Sequence, residues 1–290
     1  MTNGADRRAL LMKLAAATAA CGPLGAWAAT AATSTGLRLL VNEGATTIVD
    51  PNELRGRYVP LATVLGQAAG RQVEVEAYEK VGDFLRVLET MPTFIFCKTV
   101  DLLATEVKKG RYVPLAKINK PYVAGIIASP KSKLTSLADL RGHRVLLPPA
   151  NVMTAKLAMA AFADAKVPVV VIDDSNASDQ IPADKVGIRH VRWQEAIGQS
   201  VEMDIAVAGA VNPTLLGKWK GPVLMRLKPQ VNWSLGVLAD TPPRLVAALS
   251  QAVTAMHTAP SGQEALTKLG IQQFVAADRQ EFLALADYVK

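Results

Sequence analysis

The sequence predicts a two-lobed α/β protein, each lobe a mainly parallel sheet flanked by helices. Three observations carry this. A chain of 290 residues, 50% hydrophobic and 20% charged, is long for one small core and suits two lobes. From residue 37 onward, short aliphatic runs alternate with stretches of helical spacing, the order that parallel sheets require. Near Lys120-Pro121 that pattern breaks, and a second run of α/β units follows.

The elements follow in order. Leu37 to Val41 is a first strand ending at Asn42-Glu43-Gly44, and Asp50-Pro51-Asn52 is a cap signal. Tyr58, Leu61, Val64, Leu65 and Ala68 fall at helical spacing, with Pro60 suited to a first turn and Gly70 to the stop. Gln72 to Ala77 alternates as a strand, and Val81, Phe84, Leu85 and Leu88 mark a helix. Thr93 to Phe96 reads as a buried strand, Leu102 to Val107 as a helix, and Tyr112 to Leu115 as a strand. Beyond Pro121 come an apolar run from Tyr122 to Ala128, a short helix over Ser136–Gly142, and the strand Val145-Leu146-Leu147. Strands over 167–172, 188–191 and 204–208, with a helix over 193–201 and a polar loop over 173–184, complete the second lobe. Trp233 to Leu238 is a returning strand, and the remainder is helical. The expected layout is an export signal over 1–31, one lobe from 32–120 plus 230–290, and another over 121–229. Crossovers fall near 118–122 and 226–232.

The segment from Leu146 to Leu157 reads as a strand entering a tight turn and opening a helix, with Pro148-Pro149 stopping the strand and Asn151 as an N-cap candidate. The first N–H groups of such a helix lack internal partners and sit at its positive dipole end, a place for a small polar or anionic ligand.

The net charge is +7. Arg7, Arg8, Lys13 and Asp6 account for +2 of it, and the rest is scattered with no Lys/Arg run interleaved with aromatics, which argues against nucleic-acid binding. Arg7-Arg8 followed by a weakly apolar stretch to Trp27 resembles a twin-arginine export signal, with cleavage after Ala28 or Ala31. Thr18-Ala19-Ala20-Cys21 offers the other option, lipidation at Cys21. After ordinary cleavage only Cys97 remains, and one cysteine forms no internal disulfide.

Ligands in such sheets sit beyond the carboxyl ends of strands. The first-lobe candidates are therefore Asn42, Glu43, Tyr78, Cys97, Lys98 and Thr99. In the second lobe they are Tyr122, the turn Asn151, Val152, Met153 and Thr154, and His190 at a strand end. Plainer readings exist: Cys97 and Trp233 as packing, Lys98 as a solvated lysine of a first helical turn. The three histidines lack metal-ligand spacing, and no nucleophile elbow, phosphate loop or nucleotide fingerprint is present. Neither catalytic residues nor a cofactor or metal is expected.

At this point particular segments resemble a known family. Arg57-Tyr58-Val59-Pro60-Leu61-Ala62 with Gly70, Tyr78 ahead of Phe84-Leu85, Tyr122, and Asp204-Ile205-Ala206 all contribute. Ser136-Leu137-Ala138-Asp139-Leu140-Arg141-Gly142-His143-Arg144-Val145 matches most strongly. With the export signal, they resemble type 2 periplasmic solute-binding proteins of the phosphate/phosphite/phosphonate branch. The family usually has a serine/threonine-rich, glycine-containing turn where this chain has Ala150 to Thr154, and a glycine-proline-tyrosine type loop where it has Phe96 to Thr99. The resemblance implies a periplasmic monomer that captures a small anionic or zwitterionic ligand, phosphonate- or phosphate-like, between its lobes. Its partner would be an ABC transporter permease, and it would meet the membrane only through that partner or a lipid anchor. A ligand sensor or partner-presenting protein on the same fold is the rival reading.

Overall fold

The computed structural model describes residues 36–44, 50–172 and 181–289. The export signal, Cys21 and most of the polar loop over 173–184 lie outside the described residues.

Strand β1 (Leu37–Asn42) is followed by α1 (Pro51–Ala69), β2 (Val73–Tyr78), α2 (Val81–Leu88), β3 (Phe94–Cys97), α3 (Val100–Lys108) and β4 (Tyr112–Ile118). Asp50 caps α1, accepting from the amides of Asn52 and Glu53, and Gly70 closes it with φ +64°. Because that cap starts the helix at Pro51, Pro60 stands inside it instead of in its first turn. The chain then enters β5 (Gly125–Ala128), β6 (Arg144–Leu147), α4 (Met153–Asp164), β7 (Val169–Val171), β8 (Val186–His190), α5 (Gln194–Glu202), β9 (Ala208–Val211), α6 (Pro213–Lys218) and β10 (Val223–Arg226). It returns through β11 (Ser234–Leu238), α7 (Pro243–Thr254), α8 (Pro260–Leu269), β12 (Phe274–Ala276) and α9 (Arg279–Tyr288).

These strands form two separate six-stranded sheets, β12-β4-β11-β3-β1-β2 and β10-β5-β9-β6-β8-β7. Both are mixed. β1 pairs in parallel with β2 and β3, and β6 with β8 and β9. β11 is antiparallel to β3 and β4, and β5 to β9 and β10. The strand that follows each crossing, β5 in one sheet and β11 in the other, runs against the βαβ units of its sheet, as does β12, while β4 and β10 run with them. The expected strand over 204–208 begins only at Ala208. Asp204 takes a left-handed φ of +63° as the chain leaves α5, and Ser129 Oγ donates to its carboxylate at 2.6 Å.

Buried side chains fill the space between sheets and helices. Tyr58, Leu61 and Leu65 of α1 pack with Phe94, Phe96 and Phe274 under the first sheet. A second cluster runs from Leu40, Ile95 and Leu103 to Ala155, Leu157, Phe162 and Phe282, so α3, α4 and α9 join the two halves through apolar contact. Gly209 permits α5 to lie close on β9, because a Cβ there would stand 2.3 Å from Ile197 Cγ2.

Candidate functional site

The parallel register brings three strand ends together: Asn42 of β1 stands opposite Tyr78 of β2 and Cys97 of β3. Asn42 is fully buried and ties the next loop down. Its carbonyl accepts from Lys98 N at 3.0 Å and its Oδ1 from Thr99 N at 3.3 Å. Glu43 follows, its amide bonded to the Tyr78 carbonyl at 3.0 Å.

Glu43 is a buried carboxylate with three donors. Tyr58 Oη donates to it, Lys98 Nζ lies 2.5 Å from Oε1, and Arg57 Nη1 lies 3.2 Å from the same oxygen. Lys98 also sits over the Trp233 ring, 4.3 Å from its centroid. Burial pulls the Lys98 ammonium below its ordinary pKa, against the pull of Glu43. Burial and the Glu43 charge push the Tyr58 phenol well up. Glu43 therefore holds two cations at the mouth of the sheet and is not a free negative charge.

The other half contributes helix starts. α4 begins at Met153, and its N-cap is Val152, not Asn151, which is exposed in the preceding turn. A valine side chain accepts no hydrogen bond, so no side chain caps the first N–H groups of α4. Thr154 is fully buried, its hydroxyl 2.6 Å from Tyr122 Oη. Burial pushes that phenol up to about 12. Gln194 opens α5 and is only 6% exposed, with its Oε1 lacking a partner. Asn212 caps α6, accepting from Leu215 N at 2.9 Å.

Glu43, Arg57, Lys98, Tyr122, Gln194 and Asn212 meet at one cavity of about 550 Å³. Its wall includes Glu43, Arg57, Lys98 and Thr99 from one side, Val152, Met153, Gln194, Asn212, Pro213 and Thr214 from the other, and Ile118, Lys120, Tyr122, Asn232 and Trp233 between them. Four helices thus begin at this wall: α3 after Thr99, α4 after Val152, α5 at Gln194, and α6 after Asn212. Their positive dipole ends, with Arg57, Lys98 and Lys120 against Glu43, the single carboxylate among the described lining residues, give the cavity a net positive field. A larger depression of about 870 Å³ lies between α1 and β2, away from the strand ends and helix starts.

Of the residues expected from sequence, Glu43, Lys98, Thr99, Tyr122, Val152 and Met153 line the cavity. Asn42 and Thr154 are buried just behind it as supports. Cys97 is fully buried in the apolar cluster, where burial raises its thiol pKa. Tyr78 packs against that cluster, Asn151 faces solvent, and His190 bonds through Nδ1 to the Pro148 carbonyl at 2.6 Å. Sequence reasoning did not name the cavity residues Arg57, Lys120, Gln194, Asn212 and Thr214 as candidates, and weighed Trp233 as a cleft aromatic while favouring core packing for it. The Asn212-Pro213 pair was a readable cap signal; Arg57 and Gln194 carried none. Among the described residues no histidine, cysteine, aspartate and glutamate group could hold a metal ion, and no helix is long and apolar enough to cross a membrane.

Two α/β halves with a cavity of strand ends and helix starts define the type 2 periplasmic binding-protein fold. Solved structures agree. A Xanthomonas citri protein bound to ATP matches with a TM-score of 0.71 at 16% identity, covering 87% of this chain and 96% of that one. PhnD1 from Prochlorococcus marinus, in complex with methylphosphonate, matches at 0.60 and 10% identity over 87% and 96%. A binding protein component of an ABC phosphonate transporter from Pseudomonas aeruginosa matches at 0.56 and 14% over 87% and 84%. No curated protein sequence matches the chain. The family model described as ABC transporter, phosphonate, periplasmic substrate-binding protein matches residues 44–282. The chain belongs to that family of periplasmic substrate-binding proteins.

Proposed function

We propose that this protein captures a small anionic or zwitterionic ligand, phosphate- or phosphonate-like, in the cavity between its halves and delivers it to an ABC importer. The observation that carries this is the convergence of four helix starts with Arg57, Lys98 and Lys120 on one cavity. In this reading residues 36–120 with 230–289 act as one lobe and 121–229 as the other, turning about the crossings that follow β4 and β10. A ligand that touches both halves favours the closed arrangement by its extra contacts there. The protein acts as a monomer without cofactor or catalysis, exported through its twin-arginine leader. The phosphonate-bound and ATP-bound relatives support an anionic head group.

A thermal-shift screen with phosphate, phosphite, phosphonates, sulfonates and amino acids tests the reading. A ligand at a hundredfold excess over its Kd should raise Tm by roughly 5–10 °C and perturb tryptophan fluorescence through Trp233. Lys98→Gln should abolish both responses. Absence of a shift with every solute would overturn the binding role.

A further inference from the structure

The cavity is large for a bare oxyanion. A tetrahedral anion of five heavy atoms displaces on the order of 150 Å³ even at water's share of liquid volume per atom, against about 550 Å³ here. The halves are already bridged by the ion pair between Asp101 of α3 and Lys156 of α4, and by Tyr288 Oη donating to Asp164 at 2.9 Å. Part of the wall is apolar: Ile118, Val152, Met153, Pro213 and Trp233. Met153 and Val152 stand at the start of α4, where hydroxyl side chains would have served an oxyanion directly. One further group asks for a ligand. Gln194 is more than nine-tenths buried at this wall and its Oε1 has no hydrogen-bond partner, an arrangement that costs free energy unless a donor arrives. A donor on the body of an organic ligand would meet it.

We propose that the cavity takes an organic anion, an oxyanionic head joined to a planar or apolar body with a hydrogen-bond donor for Gln194, in preference to free phosphate or a one-carbon phosphonate. This rests on the cavity being the ligand site. The cations and helix starts hold the head, and Trp233, Ile118, Val152 and Met153 cover the body. Removal of that body from water supplies affinity that a bare oxyanion cannot gain.

Calorimetry with inorganic phosphate, methylphosphonate, phenylphosphonate and (4-hydroxyphenyl)phosphonate on the purified protein tests this. Phenylphosphonate should bind about tenfold or more tightly than methylphosphonate and phosphate. The 4-hydroxy compound should bind more tightly still, with that last gain lost in Gln194→Leu. Lys98→Gln should abolish aryl binding; survival of it in that variant would place the compound elsewhere and overturn the inference. Equal or weaker binding of the aryl compounds, with methylphosphonate or phosphate still bound, would overturn the inference while leaving the cavity an anion site. No binding of any of the four would overturn both.

Discussion

At the scale of single residues, the site turns on Glu43 and the groups it holds. Its carboxylate accepts from Tyr58, Arg57 and Lys98 at once, which keeps both cations at the cavity wall before any ligand arrives. Replacing it by glutamine leaves Lys98 without its buried counter-charge and should cost about 3 kcal/mol of stability, read by urea unfolding. The same change should tighten binding of an anionic ligand, since it removes the one negative charge from the described wall. Lys98 adds a pH signature. Its pKa is lowered from 10.5 by burial, so anion affinity should fall with rising pH earlier than for a solvent-exposed lysine. Between the lowered value and 10.5 the unfolded chain binds more protons, so stability rises with pH while affinity falls. Lys98→Arg should retain anion binding at pH 10, measured by calorimetry, because guanidinium stays charged there.

At the scale of elements, the start of α4 is unusual in having a valine N-cap. Val152→Ser should stabilise the fold by about 1 kcal/mol, since a serine hydroxyl accepts from the helix's early N–H groups. It should also weaken ligand binding by occupying a donor that faces the cavity, so thermal stability and affinity would move in opposite directions. This element also shows what a sequence can and cannot display. The strand, the double proline and the helix after it were legible because apolar spacing and proline punctuation are local. The cap was misplaced by one residue, since Asn151 has the right chemistry and only the backbone geometry gives the role to Val152. β10 and β12, of four and three residues, were missed because short edge strands carry too little periodicity. Lys98, Thr99 and Glu43 were legible as residues that follow strands. Arg57 and Gln194 were not, because each sits on a helix whose relation to the cavity depends on tertiary packing.

At the scale of the whole molecule, the chain passes between the sheets twice, and the two passages lie side by side. Tyr122 N donates to the Gln230 carbonyl at 2.9 Å and Gln230 N to the Tyr122 carbonyl at 3.1 Å. Asn232 Nδ2 adds a bond to the Lys120 carbonyl at 3.0 Å. Both passages carry an exposed lysine followed by proline, Lys120-Pro121 and Lys228-Pro229. Trypsin leaves a lysyl-prolyl bond whole, so these two exposed lysines offer the protease nothing. Limited trypsinolysis should spare both Lys-Pro bonds, and Pro121→Ala should create a cut after Lys120. Even then the fragments should travel together on a sizing column, because the intact passage and the cross-paired backbone would still hold one half to the other.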